Sequence, residues 1–350
     1  MFLSSTPIVV RTAADAIALV PYLLGFVPSE DLVMVGLGGS LRTVAYRVDL
    51  PAAGDEDTVD AMAEHLARLA RRNRIARALL VGYGPSERVV PVAAAVTGRV
   101  SACGVEVIDA FRVHEGRWWS LTCTGGCCPP EGRPYDPSTS VAAVDAVIRG
   151  LAALPDRAAL AASVAAVTGP ARRAVRKATA VWEQRYLRAS RSDPAGTRHR
   201  MVTDGIPLVA ELAERVRAQG PAPSDSEVAR LGVLLTCLRV RDEAWIRIDG
   251  DDRSVLLRHV DFWRDVLRRV EEPYAAAPAG LLAYAAYISG DGALANVALD
   301  RARTADPGYS MAALLRDVLA AGLPPDQARL RITPEELADM YAATENRPAT

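Results

Sequence analysis

The segment Cys123-Thr-Gly-Gly-Cys127-Cys128-Pro129-Pro130 places three thiols within six residues, on a loop that two glycines loosen. Thiolates are soft ligands. Cys123, Cys127 and Cys128, completed by His114 or Cys103, would make a tetrahedral zinc set. The paired Cys-x-x-Cys spacing of structural zinc sites is missing. The same thiols would also serve as a redox switch, Cys123 with Cys127 or Cys128. The bland alternative is packing, with small cysteines filling a tight loop beneath Trp118 and Trp119. Packing is the favoured expectation. No cofactor is predicted, and zinc stays open as the alternative.

Other constellations are weaker. Arg47 and Asp49 are two apart on an expected strand, so they share a face and form a candidate ligand-binding pair, with Glu131 as a third candidate. Asp249-Gly-Asp-Asp252 groups carboxylates on a turn but lacks the terminal Glu of a calcium loop, and reads as solvated. Gly36-x-Gly38-Gly39 is followed by a strand and not a helix, so it fails as a phosphate loop. Arg172, Arg173, Arg176 and Lys177 open a basic stretch that runs to Arg200, with Trp182 and Tyr186 among the arginines. Arginines on phosphates with aromatics on bases would bind nucleic acid. A solvated arginine face over an aromatic core stripe explains the same pattern and is preferred. The four histidines, His65, His114, His199 and His259, sit in no catalytic motif, and no nucleophile triad is visible.

Composition narrows the classes further. The chain has 350 residues, half of them hydrophobic, and a net charge of −1, so no global charge argues for nucleic acid or an anionic membrane. The start lacks a basic region, and the apolar run 16–27 is broken by Pro21, which makes a poor signal peptide. The longest uncharged stretch, 273–290, is alanine-rich and reads as a buried helix, not a membrane span. A cytoplasmic location follows as the expectation, with the cysteines as reduced thiols or metal ligands.

The elements that position these residues are legible from periodicity. Thr12 or Asp15 caps a helix that Gly25 closes, and Pro28 prevents its continuation. Two strands flank Gly38-Gly39-Ser40 as a hairpin. Residues 57–72 form an amphipathic helix with Glu64 placed to pair with Arg68. A buried strand at 78–82, a helix at 87–101 and strands at 105–113 and 117–121 follow. From Ser138 the pattern turns helical, with one strand expected at 245–248 and capping boxes at Ser224–Glu227 and Thr333–Glu336. Gly290-Asp-Gly-Ala-Leu-Ala295, followed by Leu299, Ala302 and Asp306-Pro307, has tetratricopeptide-like spacing, in a single copy. The expected fold class is α+β. A layered α/β domain with a small mixed sheet spans 1–137 and ends in the Cys/Gly/Pro-rich segment. A helical domain with one tetratricopeptide-like helix pair spans 138–350.

Pro21-Tyr-Leu-Leu-Gly-Phe with Pro28, Arg47-Val-Asp49, Cys127-Cys128-Pro129-Pro130-Glu131-Gly132, and Gly290-Asp-Gly-Ala-Leu-Ala-Asn296 with Asp306-Pro-Gly-Tyr309 together resemble domain-of-unknown-function family 4192. The resemblance runs from about Thr12 to Pro325 and implies a high-GC Gram-positive bacterial setting. It implies no activity and carries over no catalytic residue. The leading functional expectation is a non-enzymatic binding or regulatory protein. Its helical half would form the interaction surface for a protein partner or for self-association. One alternative is an enzyme or small-ligand protein with a site at the domain junction near Cys123–Glu131. Another is a nucleic-acid binder acting through Arg172–Arg200.

Overall fold

The computed structural model describes residues 8–39, 43–123, 129–186, 192–250 and 252–345. The chain divides into two compact units, Met1–Leu160 and Ala161–Thr350.

The first unit is built on a six-stranded sheet. Its strands are β1 (Asp31–Leu37), β2 (Thr43–Asp49), β3 (Arg77–Tyr83), β4 (Glu106–His114), β5 (Arg117–Ser120) and β6 (Arg133–Pro134). The order is β2-β1-β3-β4-β5-β6, and only β3 and β4 run parallel. That parallel pair is joined by α3 (Ser86–Ala102), while α2 (Glu56–Arg72) joins β2 to β3. The even-numbered side chains Leu32, Met34, Ala78 and Leu80 pack with Ala63, Leu66, Val89, Val92 and Val96 of α2 and α3. The odd-numbered Val33, Val81 and Tyr83 are also buried. They turn to the opposite face, where the Tyr83 hydroxyl donates to the Ile17 carbonyl of α1 (Ala13–Leu24). Coverage on both faces explains why β1 is continuously apolar, without alternation.

Close approach of α3 to the sheet requires Gly82, because a Cβ there would lie 2.3 Å from a Val89 methyl. Thr12 and Asp15 form a reciprocal capping box at the start of α1, and Gly25 ends it at φ 77°. Glu64 pairs with Arg71 and Arg99, where the sequence suggested Arg68.

The helical character begins near Ser138, but the units part after Leu160. Ser140 caps α4 (Val141–Ile148) and its hydroxyl donates to Asp15 of α1 at 2.7 Å. Backbone bonds from Leu154 to Gly25 and from Val27 to Leu154 tie the following segment to the same helix end. These bonds, each spanning more than 120 residues of chain, hold α4 in the first unit.

Helix α5 (Arg157–Ala162) spans the boundary, and the second unit has no strand among its described residues. It contains α6 (Gly169–Tyr186), α7 (Pro194–Arg217), α8 (Asp225–Leu234), α9 (Leu238–Ile246), α10 (Arg253–Arg269), α11 (Ala276–Ser289), α12 (Gly292–Ala305) and α13 (Ser310–Ala320). The strand expected at 245–248 is instead the end of α9, where Trp245 packs edge-on against Tyr284 of α11, with 5.6 Å between ring centres. Burial against a helical neighbour overrides the β-leaning composition of Trp-Ile-Arg-Ile. The capping boxes at Ser224 and Thr333 are both present.

The tetratricopeptide-like segment forms the α11–α12 hairpin across Gly290 and Asp291. All fourteen residues of α11 are buried, which accounts for its alanine-rich, uncharged sequence. No helix among the described residues is long and apolar enough to cross a membrane. The carboxylate turn is solvated at Asp252, which is exposed, but not at Asp249. Asp249 and Arg329 are each about one-tenth exposed and pair with one another, and Asp249 also accepts from the Arg331 amide.

Candidate functional site

Arg47 and Asp49 share one face of β2, as their spacing requires, and Arg47 donates to the Asp49 carboxylate. Asp31, which was not a candidate from the sequence, joins them: its carboxylate lies 3.2 Å from Arg47 Nε and is almost fully buried. Burial raises the Asp31 pKa above the usual carboxylate value. Arg47 partly offsets this, and the nearby Asp49 charge adds to it. The Arg47 guanidinium also lies 5.9 Å from the Phe26 ring centre. Arg47 is thus held between two carboxylates beside an aromatic ring, an arrangement that knits β2 to the entrance of β1.

Cys123 begins a loop fastened by polar contacts. Its amide donates to the Ser120 hydroxyl, which donates at 2.8 Å to Asp109, and Thr122 donates to the same carboxylate. On the return, Trp119 donates to the Pro130 carbonyl and Arg117 to the Gly132 carbonyl, while the Glu131 side chain is exposed.

Cys123 is disulfide-bonded, which corrects the expectation of a reduced thiol there. A sulfur in a disulfide is no longer a thiolate ligand. Cys127 and Cys128 lie outside the described residues. His114 pairs with Arg117 at the closed end of the β4–β5 hairpin, whereas Cys123 follows Ser120 at the open end. The fold therefore does not bring His114 to Cys123. Among the described residues no group of three or more His, Cys, Asp or Glu side chains is placed to hold a metal.

Among the described residues, the basic stretch is engaged in part. Arg172 pairs with Glu271 at 2.9 Å and donates to the Val270 carbonyl, and Arg176 reaches the same glutamate. Arg173 and Lys177 are exposed on α6. Trp182 and Tyr186 stack on each other, and each bonds within the unit, Trp182 to Ser226 and the buried Tyr186 to Asp204. The aromatics are part of the helix packing and not a free stacking platform.

A groove lies elsewhere in the helical unit, between the C-terminal turns of α7, the loop 219–223 and α10. Its cavity volume is about 250 Å³, with Leu212, Val216 and Phe262 as apolar lining and Arg215, Asp261 and Asp265 among its polar lining. Helical spacing makes this lining. Leu212 and Val216 are four apart on α7, while Arg258, Phe262 and Asp265 recur along one face of α10.

Both ends of the intervening loop are pinned. Arg258 donates to the Val216 and Arg217 carbonyls at the end of α7. Arg269 donates to the Pro223 carbonyl at 2.8 Å and to Asp225 at 2.6 Å, fixing the entry to α8. Arg215 is held by Glu211 and Glu227. The groove is therefore framed before any ligand arrives.

Beside it, sharing Leu212 and Phe262 as walls, is a small chamber also lined by Arg247, His259 and Trp263, with about 10 Å³ of free space. That is room for one water-sized group. His259 is only 3 % exposed, and neither ring nitrogen has a hydrogen-bond partner among the described residues, nor does the Trp263 indole N–H. Burial, then the charges of Arg217 and Arg258, push the His259 pKa down to about 4, so the ring is neutral near pH 7.

The sequence named neither the groove nor the chamber. The one local sign of the chamber is that His259 and Trp263 lie four residues apart on α10. What the arrangement offers is recognition, through an apolar floor, paired charges at the rim and unmet donors behind it.

No curated protein and no solved structure matches the chain. A family model described as "Domain of unknown function (DUF4192)" matches residues 14–326. The chain belongs to that family.

Proposed function

We propose that this is a non-enzymatic binding protein of the bacterial cytoplasm, and that its helical unit carries the binding surface. The observation behind this reading is the pinned groove of α7, α10 and the loop 219–223. Concave, mostly apolar sites with a few fixed polar groups are the usual form of small-ligand sites. Its charged groups already hold partners, as Arg215 does with Glu211 and Glu227 and Asp265 with Arg269. Such groups orient a ligand better than they transform it. The α11–α12 hairpin resembles a repeat unit, and α11 packs on α10.

A fragment library screened against the full chain by saturation-transfer NMR tests the reading. Binders should lose their signal with a Phe262→Arg chain whose circular dichroism is unchanged. Finding no binder, or only binders indifferent to that substitution, would overturn it.

A further inference from the structure

The charged residues of the groove differ in how much of their hydrogen-bonding capacity is already used. Resting on the binding reading above, we propose that the groove takes a small protonated amine with an apolar body. The body lies on Leu212, Val216 and Phe262, and the ammonium group donates to Asp261 and Asp265.

The two arginines of the lining are committed. Arg215 sits between Glu211 and Glu227, at 2.6 and 2.9 Å, so its single positive charge is more than matched. Arg258 donates through Nε and Nη2 to the Val216 and Arg217 carbonyls and through Nη1 to Ser254, so each nitrogen of its guanidinium has an acceptor. Those two carbonyls belong to the C-terminal end of α7, where the helix dipole is negative. An anion entering the groove would therefore have to displace a partner from either arginine.

The two aspartates keep acceptors in reserve. Asp261 meets Arg264 through Oδ1 at 3.1 Å, and Asp265 meets Arg269 through Oδ2 at 2.8 Å. Asp261 Oδ2 and Asp265 Oδ1 have no hydrogen-bond partner among the described residues. Arg269 is also shared with Asp225 at 2.6 Å, which leaves Asp265 only partly neutralised. The aspartates are four apart on α10, and side chains at that spacing are neighbours on a helix surface, so one ammonium can reach both.

An ammonium group carries only donors, which is what two free carboxylate oxygens require. Phe262, between them in the chain and also in the lining, offers a ring face that attracts a cation. Access is open. The Asp261 side chain is largely exposed, Asp265 is partly so, and residues 219–222 of the loop are exposed. The head group thus stays at the solvent side while the apolar body covers the floor. A cavity of about 250 Å³ is smaller than a drug-sized site and suits a single ring or a short chain.

The probe is 4-fluorophenethylamine, a cation near pH 7, observed by fluorine NMR with the full chain. Its counterparts are the neutral 2-(4-fluorophenyl)ethanol and the anionic 4-fluorophenylacetate. The amine should bind about tenfold more tightly than the alcohol, the worth of one charge-assisted hydrogen bond. The acetate should bind no better than the alcohol. Raising the salt from about 0.05 M to about 0.5 M should narrow the gap between amine and alcohol, because the aspartates are near solvent. This readout needs no variant. In an Asp261→Asn chain most of the amine's advantage over the alcohol should be lost. If amine and alcohol bind alike, or the amine fails while other fragments bind, the groove stands and the cation assignment falls. Tighter binding of the acetate would overturn the sign of the assigned charge. A preference for the amine that survives both salt and Asp261→Asn would place it away from the aspartates and overturn the assignment too. If no fragment of any charge binds, the binding reading itself fails.

Discussion

Asp31 and Arg47 meet across the first hairpin with 3.2 Å between carboxyl oxygen and Nε, although the ladder sets Asp31 opposite Asp49 and Arg47 opposite Val33. The contact is diagonal, and the arginine reaches back toward the strand end. Replacing Arg47 with Met would leave a buried carboxylate without its cation, at a cost of about 3 kcal/mol. The pH dependence has a definite sign. The folded-state Asp31 pKa is raised, so the folded state holds this proton more tightly than the unfolded chain and stability falls as pH rises through that window. Without Arg47 the pKa climbs further. The destabilisation of the Arg47→Met chain should therefore be greatest at neutral pH and shrink in acid. Urea denaturation at both pH values measures it.

His259 gives the opposite slope. Its folded-state pKa is depressed to about 4 from an ordinary 6.5, so its contribution is full above the ordinary value and is lost as pH falls. By about pH 5 the ligand-free chain should have lost about 2 kcal/mol through this group. A His259→Leu chain, which replaces unmet polar atoms with apolar ones, should show no such loss. Comparing the two unfolding curves against pH isolates the histidine.

Glu227 joins the first turn of α8 to Arg215. Arg215 and the donors of Ser224 pull its carboxyl down to about 2, against the opposing effect of burial. Stability from this group is present above the ordinary glutamate pKa and is lost as pH falls toward 2. Glu227→Gln should cost about 2 kcal/mol at neutral pH, allowing for its partial exposure. Ser224→Ala, which removes the cap and one donor to Glu227 but keeps the pair with Arg215, should cost about 1 kcal/mol. Thermal unfolding of the two variants separates the contributions.

Gly82 and Val89 can be tested as a pair. Gly82→Ala would force its methyl into the Val89 side chain and cost about 2 kcal/mol through overpacking. Val89→Ala makes room, so the double variant should be more stable than the sum of the single effects by at least about 1 kcal/mol. A strictly additive cycle would contradict the close approach of α3 to β3.

Much of the first unit could be read in advance because its signals are local. The β1–β2 hairpin, α2 and the β3–α3–β4 crossover each follow from a period or a cap within a few residues. The groove could not. Arg258 and the carbonyl it meets on Val216 are 42 residues apart, and Arg269 and Pro223 are 46 apart. In the sequence both arginines look like ordinary members of a polar helix face. Asp249 misled for the same reason, since the residue that buries it, Arg329, is 80 positions away. Trp245 was misread because its rotamer space is decided by Tyr284 and not by its neighbours in the chain. The thiol segment drew attention by composition, yet its best-defined contacts are the hydroxyls and carbonyls around it.

The enclosure of α11 has a consequence for assembly. A helix with fourteen buried residues and no charged side chain has no face that water can stabilise while it waits for partners. It cannot dock on α10 alone, because the surface meant for α12 and α13 would stay bare. Its neighbours must therefore close around it together, which makes this half of the molecule cooperative about one segment. Amides in α11 would exchange with solvent only when the whole helical unit opens. The same segment, exposed in a chain that stalls during synthesis, is where neighbouring chains would first adhere.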